Sequence, residues 1–200
     1  GQCPDGSQRR ILLPLTPEYI GYGDIGLGQE LFYSRRPNIE IRGQYEFKYH
    51  VDFDHLDFQE DTGAICISRP TNPTGNVVTD EEILKLREIA VRRDVPLIID
   101  GAYGAPFPNI IFTEVTPIWD PGVIVCLSLS KFGMPGVRTG IVVADDAVIR
   151  AVTSANAILS LSPGSFGPVL VTEAIRSGEF LRISTDLIRP YYRHHLDQAV

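Results

Sequence analysis

Apolar residues fall into short, proline-broken runs early in the chain and settle into a regular order only later. Ile11-Leu12-Leu13 reads as a short strand cut off by Pro14 and Pro17, and Leu31-Phe32-Tyr33 and Ile39-Glu40-Ile41 as two more. From Gly63 the pattern sharpens. Ala64-Ile65-Cys66-Ile67 is a strand, and Thr79-Asp80-Glu81-Glu82 is a capping box in which Thr79 and Glu82 satisfy each other's free amides. The helix behind it carries Ile83, Leu86 or Leu84, and Ile89-Ala90 on one stripe, with Lys85, Arg87 and Arg92 opposite. Pro96-Leu97-Ile98-Ile99-Asp100 is the next strand. Strand, helix and strand make a βαβ unit, which requires parallel pairing. Val123-Ile124-Val125-Cys126-Leu127 reads as a strand covered on both faces. Thr139 to Ala144 forms a fourth strand; the Gly- and Pro-containing loop before it is too short for a parallel crossover, so this strand is expected to run antiparallel. From Asp146 to Val200 the pattern is helical, interrupted at Ser162-Pro163-Gly164 and Ser177-Gly178. The class is α/β: a mostly parallel sheet with one antiparallel strand and flanking helices.

Composition narrows the function. With 200 residues, 44% of them hydrophobic, the chain can bury one sizeable core and a piece of a second layer. A formal charge of −7 argues against nucleic acid as a partner, since phosphate backbones reward basic stripes. No apolar run approaches the roughly eighteen residues that a membrane span needs. Gly1-Gln2-Cys3-Pro4-Asp5 has neither the basic nor the apolar region of a signal peptide. Cys3, Cys66 and Cys126 are scattered, which suits thiols in a reducing cytosol better than disulfides or zinc, and a cytoplasmic location is expected. The chain lacks an initiator Met and stops at Gln198-Ala199-Val200 inside a helical pattern, so it is expected to be part of a longer protein.

Chemistry gathers at three strand ends, where open α/β sheets bind their ligands. Ser68 to Asn76 follows the first, Asp100-Gly101-Ala102-Tyr103 the second, and Ser128-Leu129-Ser130-Lys131 the third. Lys131 is poorly sited as a surface charge and well sited to condense with a carbonyl, because partial burial keeps an amine neutral and nucleophilic. A carboxylate, a phenol, a carboxamide and an amine on one rim suit a cofactor with a basic ring nitrogen, an acidic hydroxyl and an aldehyde. Each also has a plainer reading. Asp100 could cap a helix, Asn72 could serve the Asn-Pro-Thr-Gly turn, Tyr103 could be a core phenol, and Lys131 could be solvated.

Ser-x-Pro-x-Asn-Pro-Thr-Gly, Asp-x-x-Tyr and Ser-x-Ser-Lys, in this order and at these separations, resemble the signature of the fold-type I aminotransferases, which use pyridoxal phosphate. The likeness runs from about Pro14 onward. Pro14 to Tyr22, Ser68 to Asn76 and Pro135 to Gly140 resemble the valine–pyruvate branch of that family. The resemblance implies that Lys131 holds the cofactor aldehyde and shuttles a proton, and that Asp100 keeps the pyridine nitrogen protonated. It places Tyr103 and Asn72 on the ring oxygen, and Ser128 and Arg138 on the phosphate. Ser130 either joins them or shapes the turn. Arg138 lies one residue nearer the lysine than is usual in the family. Tyr19 stands where the family stacks an aromatic ring on the cofactor, though core packing would explain it equally. The implied activity is amino transfer between an amino acid and a 2-oxo acid, valine or alanine with pyruvate or 2-oxoisovalerate, in a homodimer without a metal. Other fold-type I activities, a lyase or a synthase, share this lysine chemistry, and aminotransferase-like domains also serve as effector sensors in transcription regulators.

Under the same resemblance, residues 1–200 are the central part of the cofactor-binding large domain. The glycine-rich phosphate turn would precede them, and the arginine that grips the substrate carboxylate would follow in a small domain. Alone, the chain is expected to bind cofactor weakly and to transaminate little or not at all.

Other motifs carry less. Gly21-Tyr22-Gly23-Asp24-Ile25-Gly26 spells a dinucleotide fingerprint without the preceding strand or following helix it needs, and Gly28 weakens any helix there. Asp52, Asp54, His55 and Asp57 alternate with apolar residues as a solvated face does. His194 and His195 are adjacent and lack metal-ligand spacing. Trp119 between Pro117 and Pro121 reads as a packed turn.

Overall fold

The computed structural model describes residues 6–24, 29–162 and 164–199. Cys3, Gly26, Gly28, Pro163 and Val200, all named above, lie outside the described residues. The chain divides into two units, Gly1–Asp100 and Gly101–Val200.

In the first unit the βαβ connection sets the architecture. Strands β1 (Arg10–Leu13), β2 (Phe32–Ser34), β5 (Thr62–Ser68) and β6 (Leu97–Asp100) lie in the order β2-β1-β5-β6, with parallel pairing throughout. Between β5 and β6 runs α1 (Asp80–Arg92), with Ile83, Leu86 and Ala90 buried. Leu86 therefore belongs to the core stripe, whereas Leu84 is 47% exposed. Leu12, Ile65, Ile67 and Leu97 are fully buried on one face; on the other face β5 buries Ala64 and Cys66, whereas Ile98 of β6 is only half-buried, so β5 is the strand covered on both sides. The β5–β6 register runs from Ile65 opposite Leu97 to Ser68 opposite Asp100. That pairing brings the two polar residues level at the carboxyl ends of their strands.

The capping box forms as expected. The Thr79 side chain accepts from the Glu82 amide at 3.2 Å, and the Glu82 carboxylate accepts from the Thr79 amide at 2.9 Å. Glu82 also accepts from the Val51 amide at 2.9 Å, which ties the helix start to a distant segment.

Between β2 and β5 a separate antiparallel hairpin pairs β3 (Asn38–Ile41) with β4 (Phe47–His50). β4 was not expected, because Phe47-Lys48-Tyr49-His50 has no apolar run and its residues are at most half-buried. Among the described residues no group of three or more His, Cys, Asp or Glu is arranged to hold a metal ion.

In the second unit β7 (Val123–Ser128) and β8 (Gly140–Val143) pair antiparallel, as the short loop between them predicts. Helices α2 (Asp146–Ser160), α3 (Phe166–Arg176), α4 (Glu179–Ile183) and α5 (Arg189–Ala199) follow, with one π turn at Ser184–Ile188. The expectation that both faces of β7 are covered needs correcting: Val123 and Leu127 are buried, but Ile124, Val125 and Cys126 are only half-buried. Trp119 is 52% exposed, so the proline-flanked turn around it is not packed. The core of this unit is instead Phe107, Leu127, Leu129, Val171 and Phe180, with Phe132 and Met134 against it. Phe132 stacks on Phe180 with ring centroids 4.2 Å apart, and Phe107 meets Phe180 edge-on at 5.1 Å. Among the described residues no helix is long and apolar enough to cross a membrane.

The capping box generates a stability test in the full-length protein. Thr79→Ala should cost about 1 kcal/mol in urea unfolding, as the loss of an N-cap usually does. Glu82→Ala should cost more, because it also strips an acceptor from the buried Val51 amide. Equal costs would show that the tie to Val51 contributes nothing.

Candidate active site

At the end of β5 and β6 the backbone arranges the first set of polar groups. The Arg69 amide donates to the Asp100 carbonyl at 2.8 Å, extending the ladder by one rung. Beyond it the chain turns: the Gly75 amide donates to the Thr71 carbonyl at 2.8 Å and the Thr71 amide to the Asn76 carbonyl at 2.9 Å. Gly75 supplies the positive φ, +67°, that this turn needs. Asn72 sits half-buried within it. No helix begins at Asp100, so the capping alternative does not hold. Its carboxylate instead accepts from the Tyr22 hydroxyl, Oη to Oδ2, at 2.8 Å.

Tyr22 and Glu18 are the residues that sequence reasoning missed. Glu18 Oε2 accepts from the Ser68 amide at 3.0 Å, and Oε1 accepts from the Tyr19 amide at 2.9 Å and from the Ser68 hydroxyl. Burial pushes the Glu18 carboxyl up to about 7; the two amides oppose this rise and the Asp100 charge adds to it. Burial also raises the Tyr22 phenol, so it remains a proton donor at any physiological pH. Tyr22 stacks on Phe32 and meets the Tyr19 ring edge-on at 5.4 Å. Tyr19 itself is 41% exposed, which rules out core packing as its role. The signal in the sequence is the Glu-Tyr-x-Gly-Tyr spacing of residues 18–22.

The second set belongs to the other unit. Ser128 ends β7 and its Oγ accepts from the Ser130 amide at 3.2 Å. Ser130 Oγ in turn accepts from Arg138 Nη1 at 3.4 Å, and the Pro135 carbonyl accepts from the same nitrogen at 3.2 Å. Two hydroxyls and a guanidinium thus gather in one loop, a donor set suited to an anion. Arg138 holds a left-handed backbone, φ 50° and ψ 45°, which is uncommon for a long side chain and shows that its surroundings fix it. The residues on either side of it, Val137 and Thr139, lie so close to α3 that a β-carbon at Gly167 would collide with the Thr139 Oγ1 and the Val137 side chain.

Lys131 does not have the partial burial expected of it. Its side chain is exposed, with Nζ 5.0 Å from the centroid of the Tyr103 ring. The cause is local. The Phe132 amide closes a turn onto the Leu129 carbonyl at 3.1 Å and the Phe132 ring packs on Phe180, leaving Lys131 on the outer side. The structure thus joins Lys131 with Tyr103, and Ser128 and Ser130 with Arg138, in one unit. In the other it joins Asp100 with Tyr22, and Ser68 with Glu18.

Glu18 makes stability pH-dependent with a definite sign. The folded chain keeps this proton up to about 7, whereas an ordinary glutamate near 4.5 loses it. The folded state therefore binds more protons in that window, and stability falls as pH rises through it. Glu18→Gln should flatten this part of the melting-temperature profile. Parallel profiles for the parent and the variant would exclude the effect.

Residues 34–198 match the family Aminotransferase class I and II. The chain is 52% identical to the valine–pyruvate aminotransferase of Escherichia coli (strain K12), over 100% of this chain and 48% of that protein. It therefore spans about half the length of that curated relative. The crystal structure of valine-pyruvate aminotransferase from Salmonella typhimurium LT2 superposes with a TM-score of 0.88 at 52% identity, covering 95% of this chain and 48% of that one. A double mutant of Thermus thermophilus aspartate aminotransferase shares the fold, with a TM-score of 0.77 at 20% identity over 96% of this chain and 50% of that one. The match over residues 34–198, with the α/β order that the fold displays, shows that the chain belongs to the class I and II aminotransferase family.

Proposed function

We propose that the protein carrying this chain transfers an amino group between an amino acid and a 2-oxo acid using pyridoxal phosphate, with valine or alanine as donor and pyruvate or 2-oxoisovalerate as acceptor. The observation that carries this reading is the 52% identity, along all of this chain, to a valine–pyruvate aminotransferase. The donor set suits that cofactor: a carboxylate for a cationic ring nitrogen, a phenol and a carboxamide for a ring oxygen, two hydroxyls and a guanidinium for a phosphate, and an amine for an aldehyde. When bound, the cofactor supplies an electron sink that makes the substrate α-proton acidic.

The residues of the chain supply the rest. Asp100 holds a proton on the ring nitrogen by placing an opposite charge beside it. Tyr103 and Asn72 donate to the ring oxygen, and Tyr19 offers its exposed ring as a stacking surface. Ser128, Ser130 and Arg138 grip the phosphate through charge-assisted hydrogen bonds. Lys131 would hold the aldehyde end of the cofactor and, once released from it by the incoming amino acid, its Nζ would serve as the base that accepts and returns a proton. The exposure of Lys131 leaves it free to move between those two tasks. By family likeness the working form is a cytoplasmic homodimer.

Two experiments on the full-length protein test this. Reduction with borohydride in the presence of pyridoxal phosphate should label Lys131. It should spare Lys48, whose amine is tied to the Val77 carbonyl, and Lys85, which lies over the Phe53 ring. Labelling at either of those instead would sink the cofactor assignment. Asp100→Ala should slow α-proton exchange by about two to three orders of magnitude while still permitting cofactor attachment to Lys131. Equal loss of attachment and exchange would make Asp100 a structural residue. Amino-acid–pyruvate exchange without ammonia release separates transfer from lyase chemistry.

A further inference from the structure

One short turn reaches two adjacent strand ends. Ser68 and Asp100 are register partners at the carboxyl ends of β5 and β6, and neighbouring strands lie about 4.8 Å apart. The turn that begins at Glu18 bonds to both: Glu18 to the amide and hydroxyl of Ser68, and Tyr22, four positions on, to the carboxylate of Asp100. Between those anchors the Tyr22 amide donates to the Tyr19 carbonyl at 3.3 Å, and the Tyr19 ring lies so close to Gly21 that a β-carbon there would strike it. Stacking on Phe32 fixes the Tyr22 ring from its other side.

We propose that Glu18 and Tyr22 are positioning residues for Asp100: Glu18 pins the turn to Ser68, and the Tyr22 hydroxyl, delivered by that turn, holds the Asp100 carboxylate in place. The inference rests on the proposed role of Asp100 beside a cationic ring nitrogen. It deepens that role by naming what keeps the carboxylate fit for it. The choice of a phenol has a reason. A neutral donor stabilises the carboxylate while leaving its full negative charge to the ring nitrogen, whereas a cationic donor would cancel much of it. The titratable groups facing the Tyr22 hydroxyl are Cys66, Asp100 and Glu18; all three act to keep the phenol protonated, as does burial. Glu18 acts as the acceptor at the end of β5, through its bonds to the Ser68 amide and hydroxyl.

The test uses the full-length protein, with pyridoxal phosphate as the probe. Cofactor affinity is measured by absorbance titration, kcat and KM for alanine by steady-state kinetics, and melting temperature on the cofactor-free protein. Tyr22→Phe should weaken cofactor affinity roughly tenfold, the scale of a lost hydrogen bond to a charged group. It should lower kcat and leave KM for alanine unchanged, a split that a merely structural residue would not produce. Glu18→Gln should show part of the same loss, and the double variant should be no weaker than Tyr22→Phe alone, because Glu18 acts through Tyr22. If Tyr22→Phe does not fold, Ser68→Ala removes one donor from Glu18 and should give a smaller loss of the same kind; unchanged affinity there overturns the proposal. Affinity and kcat within twofold of the parent for Tyr22→Phe, while Asp100→Ala loses cofactor, overturns it and leaves the proposed function standing. Additive losses in the double variant also overturn it. A parent protein that takes up no pyridoxal phosphate overturns both.

Discussion

The β5–β6 ladder is the constraint on which the first half of the site depends. Parallel register brings Ser68 level with Asp100, and the Arg69 amide closes one more rung onto the Asp100 carbonyl, so both strand ends are fixed by backbone bonds before any side chain acts. A slip of one residue would turn every side chain of the strand to the opposite face. Fully buried Ile65, Ile67 and Leu97 forbid that slip. The position of the Asp100 carboxylate is thus a by-product of aliphatic burial several residues away.

In the second unit the corresponding constraint is aromatic. Phe107, Phe132 and Phe180 form a closed set of edge and face contacts, and Phe132 is the immediate neighbour of Lys131. Packing one residue inward turns the next outward. The lysine owes its exposure to the phenylalanine beside it. The burial that the sequence suggested for the amine was therefore assigned to the wrong member of the Lys131-Phe132 pair.

Most of the architecture was legible because long apolar runs and the capping box act locally. β5, α1, β6, β7 and antiparallel β8 all follow from periodicity and from the length of the loops between them. β4 was not legible, since its four residues owe their strand conformation to pairing with β3 and carry no apolar signal of their own. Asp100, Tyr103, Asn72, Ser128 and Lys131 stood out as polar groups at strand ends, whereas Arg138 came from the family resemblance alone. Glu18 and Tyr22 were not, because their importance lies in what they touch across the fold. A glutamate in a proline-bounded loop looks solvated until Ser68 is placed against it. For Ser130 the sequence left two roles open, and its contact with Arg138 depends on a loop conformation that includes a left-handed arginine.

That arginine's backbone has an unexpected dependent. Thr139 and Val137 close over the bare α-carbon of Gly167, on a helix far downstream that bears none of the reactive groups. A side chain at this position would have to displace the two residues that flank Arg138, so a change at a residue with no side chain of its own would be felt in a loop it never bonds to.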